Sequence, residues 1–232
     1  DWLDRALARL DDPTVAAVGG PGVTPPQSGF RERASGAFYE SPFGSGGLRA
    51  RFRPVDGVRT VDDWPAYNFV IKREALELVG GWGSSFYGGE DTKLCLALRD
   101  AGFTIVYDPA VLVYHHRRPI FAAHLRQVGN VGRHRGYFVR KFPGTSARVT
   151  YFLPAAALVA ALAALPWVAG RAGRRRGALI GVLALGAAVS GTAALEGEEG
   201  PVAAVLPLVV MASHAVYGAQ FLRGLVTPEL SR

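Results

Sequence analysis

The sequence predicts a mixed α/β domain followed by an α-helical membrane region. Two observations carry this expectation. Up to residue 116, short apolar runs alternate with helical patterns and are punctuated by Gly and Pro. From residue 149 onward, three uncharged stretches (149–170, 177–195 and 201–222) each have about the twenty residues a helix needs to cross the hydrocarbon core. A basic segment, 117–148, lies between, so the chain divides into 1–116, 117–148 and 149–232.

Composition agrees. Hydrophobic residues make up 49% of the 232, and the net charge of +7 is unevenly spread. After Asp108 no acidic residue occurs until Glu196, while Arg and Lys recur throughout that interval. The single cysteine, Cys95, excludes an internal disulfide and fits a reducing compartment. It sits on the apolar side of a helical pattern and reads as a core residue rather than a nucleophile.

Taken in order, the chain opens with a short helix ending near Leu10, stopped by Asp11-Asp12-Pro13, and then a strand from Val15 to Val18. Residues 20–60 are rich in Gly, Pro, Ser and Arg and read as a mobile loop or linker. Within it Arg49, Arg51 and Arg53 alternate, so in an extended segment they would share one face. Residues 67–71 read as a strand and 73–79 as a helix ended by Gly80. A further helix begins at Glu90 and ends at Gly102, a good C-cap. Residues 103–107 and 111–114 follow as strands separated by Asp108-Pro109.

The stretch from Gly80 to His116 holds the chemistry. Glu90 and Asp91 follow Gly88-Gly89 at a helix start, where backbone N–H groups and the helix dipole favour an ionised carboxylate. That suits a general base, although such a pair is also an ordinary capping arrangement. His115 and His116 leave the last strand where a histidine can serve as a metal ligand or a phosphate contact. Trp82, Phe86 and Tyr87 offer aromatic faces suited to a sugar ring, or to a core. Asn68 supplies a polar group beneath.

In this order, Gly80-Gly81, an aromatic, Gly88-Gly89-Glu90-Asp91, Arg99-x-x-Gly102, a strand and Tyr114-His115-His116 resemble the acceptor half of a family 2 glycosyltransferase with the GT-A (Rossmann-like) fold. The resemblance covers roughly residues 1–145. It implies that Asp91 is the catalytic base with Glu90 beside it, and that Gly80 and Gly81 form the glycine loop. His115 is then the histidine of the metal–diphosphate site, with His116 the second choice. Asn68, Gly80, Gly81, Trp82, Tyr87, Arg118, Gln127 and Arg133 are the implied substrate contacts. A nucleotide-sugar donor, a lipid-linked or growing glycan acceptor and a divalent metal (Mg or Mn) are implied as well.

One departure is large. The Asp-x-Asp motif that holds the metal in that family occurs nowhere in these residues. Asp11-Asp12 and Asp62-Asp63 are adjacent pairs that better suit a helix end and a turn. The donor-binding half is therefore expected to lie outside this sequence. Gln127 and Arg133 also lack the Gln-x-x-Arg-Trp spacing of processive synthases, which favours single or limited transfer.

The resulting expectation is an inverting transferase of the plasma (inner) membrane, multi-pass, with its catalytic part in the cytoplasm, in polysaccharide or cell-envelope biosynthesis. The alternative is a non-catalytic membrane scaffold or partner of a complete transferase. Nucleic-acid binding is excluded, because the basic residues abut membrane helices and no nucleic-acid motif is present. Arg126, Arg133 and Arg140 fall seven apart and predict a basic amphipathic helix at the lipid surface. Gly181, Gly186 and Gly191 predict close helix packing. Pro154 and Pro166 predict that 149–170 is broken into a re-entrant hairpin, which keeps Arg171 to Arg176 and the C-terminus inside.

Overall fold

The computed structural model describes residues 1–55, 57–82, 89–198 and 200–230. Helix α1 (Trp2–Leu10) packs on strand β1 (Val15–Gly19), whose five residues are all buried. Strand β2 (Gly22–Val23) follows. Residues 20–60 are not a linker: they hold helix α2 (Phe30–Glu40), a 3-10 turn (Gly46–Arg51) and strand β3 (Arg59–Thr60). α2 buries five consecutive residues, Ala34 to Phe38, more than a full turn; all but Phe38 are small, which allows close approach, and they show no apolar periodicity. In the 3-10 turn the arginines diverge. Arg51 meets Asp63, whereas Arg49 and Arg53 both meet Glu196.

A second 3-10 turn (Ala66–Asn68), strand β4 (Phe69–Ile71) and helix α3 (Arg73–Leu78) come next. Helix α4 (Glu90–Asp100) then leads into strands β5 (Thr104–Tyr107) and β6 (Val113–Tyr114). The main sheet has the order β3-β5-β1-β4, with β1 and β5 parallel and the outer pairings antiparallel. β2 and β6 form a separate parallel pair. Leu94, Cys95 and Leu98 of α4 pack with Ala16, Ala17 and Ile105 of the sheet. Cys95 is fully buried as expected, and burial pushes its thiol up to about 12.

The basic segment folds as helix α5 (Ala122–Lys141), followed by the short helix α6 (Pro143–Ser146). Three helices complete the chain: α7 (Val149–Ala169), α8 (Ala172–Leu195) and α9 (Gly200–Val226). All three are long and apolar enough to cross a membrane, which marks this as a membrane protein. α7 runs unbroken through Pro154 and Pro166, so the expected hairpin is not formed. A proline in an apolar helix removes one hydrogen bond without breaking the rod when neighbouring helices support it; here the Pro154 carbonyl packs against Gly218 of α9.

Of the three glycines expected to pack closely, only Gly186 touches another helix, meeting Pro207 of α9 at ordinary contact distance. A methyl at Gly181 or Gly191 would meet nothing, whereas one at Gly132 or Gly136 of α5 would strike the backbone of α9 at Tyr217 or Phe221. Gly224 of α9 lies as tightly on the backbone of α5 at Arg133 and Tyr137.

Candidate active site

The site is built around the start of α4. Gly89 has φ 80°, a left-handed conformation that side-chain-bearing residues rarely adopt. A Cβ there would also lie 2.7 Å from the ring of Phe138 on α5. Gly80 and Gly81, at φ 80° and 71°, turn the chain off the end of α3, and the Gly81 N–H closes on the Leu76 carbonyl at 2.8 Å. Trp82 after them is exposed at 42%. Phe86 and Tyr87 lie outside the described residues.

Asp91 Oδ1 accepts the backbone N–H of Thr92 at 2.7 Å. The carboxyl is largely desolvated, and burial first, then the neighbouring Asp63, raises its pKa above the usual carboxylate value. Glu90 lies beside it, with one buried carboxylate oxygen that has no partner among the described residues.

Asp63 is a buried charge beside Asp91 that the sequence did not reveal. It is 8% exposed, and its Oδ2 takes the Arg135 guanidinium at 2.7 Å and that of Arg51 at 3.4 Å. The Thr92 hydroxyl donates to the same carboxylate at 3.2 Å. Burial alone would raise the Asp63 pKa, but the two arginines and these hydrogen bonds hold it down at about 2. Arg135 also donates to Ser146 at 3.3 Å and stands 4.7 Å over the ring of Tyr151 in the first turn of α7. Asp62 is bound by Arg148 at 2.6 Å and Arg99 at 3.6 Å. Instead of forming a simple turn, the aspartate pair joins the α/β part to the membrane-side helices.

Tyr67 continues the line. Its hydroxyl donates to the Arg51 carbonyl, its ring stacks on His115 at 4.5 Å, and burial, with Asp91 as a lesser cause, pushes its phenol up to about 12. Asp91, Asp63, Arg51, Tyr67 and His115 thus form one connected cluster. His115 is half-buried and receives Arg117 Nη1 on its Nδ1 at 3.0 Å. Burial, then the Arg117 charge, lowers its pKa, so the ring is neutral with its proton on Nε2. His116 is exposed and pairs with Glu32 at 2.8 Å.

The remaining candidates take other places. Asn68 is buried: its amide donates to the carbonyls of Val111 at 2.7 Å and Pro21 at 3.3 Å, and its oxygen accepts Trp2 Nε1 at 3.0 Å. Both of its amide hydrogens are used in holding loops together, so it could not donate to a substrate without giving up one of these bonds. Arg118 is exposed before α5. Gln127 and Arg133 are half-buried on α5, but it is Phe138 and Arg135 that carry α5 to the start of α4 and to Asp63. The divalent metal implied by the resemblance does not fit these residues alone. No group of three His, Cys, Asp or Glu gathers among the described residues, and His115 presents an N–H where a ligand needs a lone pair.

Comparison with known proteins finds a likeness to glycosyltransferases over half of the chain. The chain is 35% identical over 117 residues to proteins named pre-mycofactocin glycosyltransferase from two strains of Mycobacterium tuberculosis. The match covers 50% of this chain and 24% of each relative, so the matched part is about a quarter of their length. No protein-family model matches the chain. No solved structure matches it either.

Proposed function

We propose that this chain is the acceptor-side part of a membrane-bound, inverting family 2 glycosyltransferase. The observation that carries the reading is Asp91: a carboxyl at a glycine-started helix N-terminus, desolvated, with its pKa raised by Asp63. That is the state a general base needs to take a hydroxyl proton near neutral pH. The similarity of half of the chain to named glycosyltransferases supports it.

In the proposed reaction the acceptor hydroxyl oxygen attacks the anomeric carbon of a nucleotide sugar. Asp91 takes the hydroxyl proton as the new C–O bond forms, and the bond to the diphosphate oxygen breaks on the opposite face, releasing the nucleoside diphosphate. Asp63 stays ionised between Arg51 and Arg135 and keeps Asp91 basic. The His115 Nε2–H is a donor suited to a diphosphate oxygen. No step runs through a metal, since no Asp-x-Asp motif occurs in these residues. The acceptor is a lipid-linked or growing glycan, and the domain faces the cytoplasm of the plasma (inner) membrane, where nucleotide sugars are made.

The test is transfer from a panel of radiolabelled nucleotide sugars in membranes carrying the full-length protein. Label entering lipid-extractable or polymeric glycan, absent from control membranes, supports the reading. Absence of transfer from every donor favours the non-catalytic partner.

A further inference from the structure

We infer that only α7 and α8 cross the bilayer, as a two-helix hairpin, while α9 lies with α5 along the membrane surface on the same side as the α/β domain. By hydropathy alone α9 is as good a span as the others, so the argument rests on what it packs against.

α9 runs parallel to α5 for nearly the whole length of α5. His124 Nε2 meets Ser213 Oγ at 2.9 Å, Gly129 faces Val216 and Gln220, and Gly132 faces Tyr217. One turn on, Gly136 faces Phe221, Gly224 faces Arg133 and Tyr137, and Arg140 reaches the Thr227 carbonyl. α5 carries Arg126, Arg133, Arg135, Arg140 and Lys141 in 20 residues. A helix with that charge does not lie along the hydrocarbon core, where each central Arg or Lys costs about 2.5–3.5 kcal/mol even on the lenient scale. Residues 213–227 of α9, in backbone contact with it, are therefore outside the core too. What remains, residues 200–212, is about 20 Å of helix at 1.5 Å per residue, short of the roughly 30 Å core.

The other end of α9 is tied to the domain as well. Val202, Ala203, Leu206, Val209 and Val210 form one cluster with Ala34, Ala37 and Phe38 of α2. His214 Nε2 donates to the Phe43 carbonyl at 2.6 Å. Just upstream of α9, Glu196 holds Arg49 and Arg53, and Glu198 lies 3.5 Å from Arg33. Both ends of α9 thus sit on the domain, as a helix crossing a bilayer away from it cannot.

α7 and α8 differ in kind. Only 6% and 11% of their apolar windows are buried, against 39% in α9. They touch α9 over their domain-side halves, α7 through Pro154 and Ala155 at Gly218, and α8 from Ala193 back to Gly186, which faces Pro207. Beyond those ends they expose Leu162, Leu165, Trp167, Ile180 and Leu183, side chains that suit lipid tails. The outward side of the α5–α9 pair mixes Leu208, Met211 and Leu222 with Arg126, Lys141 and Arg223, the composition that suits the headgroup boundary. Arg133, Arg135, Arg140, Lys141 and Arg148 lie within the last turns before α7 and offset the Arg171–Arg176 loop in orienting the hairpin.

This inference does not depend on the proposed activity. Its test uses Asp100→Cys, Gly200→Cys and Glu229→Cys at exposed positions and Arg174→Cys at a half-buried one in the loop between α7 and α8, singly, with a membrane-impermeant maleimide on intact cells and on inside-out vesicles. Cys95 is buried, so the unsubstituted protein is the blank. The expected result is that positions 100, 200 and 229 label from one side and 174 from the other. Labelling of 229 from the side of 174 would mean three crossings and overturn the inference. Labelling of 174 from the side of 100 would remove the hairpin and overturn it equally. Each variant is also labelled after detergent solubilisation, so that a misfolded protein is recognised and replaced by a cysteine at the neighbouring exposed Pro201 or Pro228.

Discussion

Replacing Arg135 with methionine is expected to destabilise the protein by about 2–4 kcal/mol. Breaking a buried ion pair from one side typically costs about 3–5 kcal/mol, because a charge is left unpaired in a poor solvent. Asp63 would keep Arg51 at 3.4 Å and the Thr92 hydroxyl, which lowers the expected figure, and methionine keeps most of the packing on Tyr151. The assay is unfolding of the detergent-solubilised protein followed by tryptophan fluorescence, to which Trp64, buried next to Asp63, contributes alongside three more exposed tryptophans. A double-mutant cycle with Asp63→Asn should show coupling, the pair of changes costing less than the sum of the singles. The pH dependence has a definite sign. The Asp63 pKa is depressed to about 2, so its contribution is present above its ordinary value of 3.8 and is lost as pH falls through about 2. In Arg135→Met that loss should begin at higher pH. A cost below about 0.5 kcal/mol, within the range of ordinary surface substitutions, would refute the claim that this pair joins the domain to the membrane-side helices.

Two further outcomes follow from the same contacts. Gly136→Leu should separate α5 from α9 and cost about 1–3 kcal/mol or more, seen as faster proteolysis in detergent, whereas Gly129→Ala, whose methyl would lie 3.2 Å from the Val216 side chain rather than on backbone, should cost less; equal effects would contradict the packing. The acidic limb of transfer against pH should lie above the ordinary carboxylate range, move down in Asp63→Asn and up in Arg135→Met, since Asp63 raises and Arg135 lowers the Asp91 pKa; a limb unmoved by both would separate Asp91 from this cluster.

Much of the α/β part was legible because its elements announce themselves locally. The α4 pattern of Leu94, Cys95 and Leu98, bounded by Gly89 and Gly102, is a periodic run between two glycines with positive φ. α2 was hidden because Ala34, Ser35, Gly36 and Ala37 bury backbone rather than large side chains, and its partner lies at the far end of the chain. Asp63 was misread for a related reason: its partner Arg135 is 72 residues away and no spacing rule connects them. Hydropathy found α9 but not its surroundings, although Gly129, Gly132 and Gly136 on α5 were a readable sign of close helix contact.

The measurement that bears most directly on the account is sugar transfer by Asp91→Asn and Glu90→Gln in membranes carrying the full-length protein. If Asp91 is the base, Asp91→Asn lowers turnover by about 100-fold or more while expression and membrane insertion are unchanged, and Glu90→Gln lowers it less. Asp91→Asn with undiminished transfer would place the base elsewhere and contradict the account.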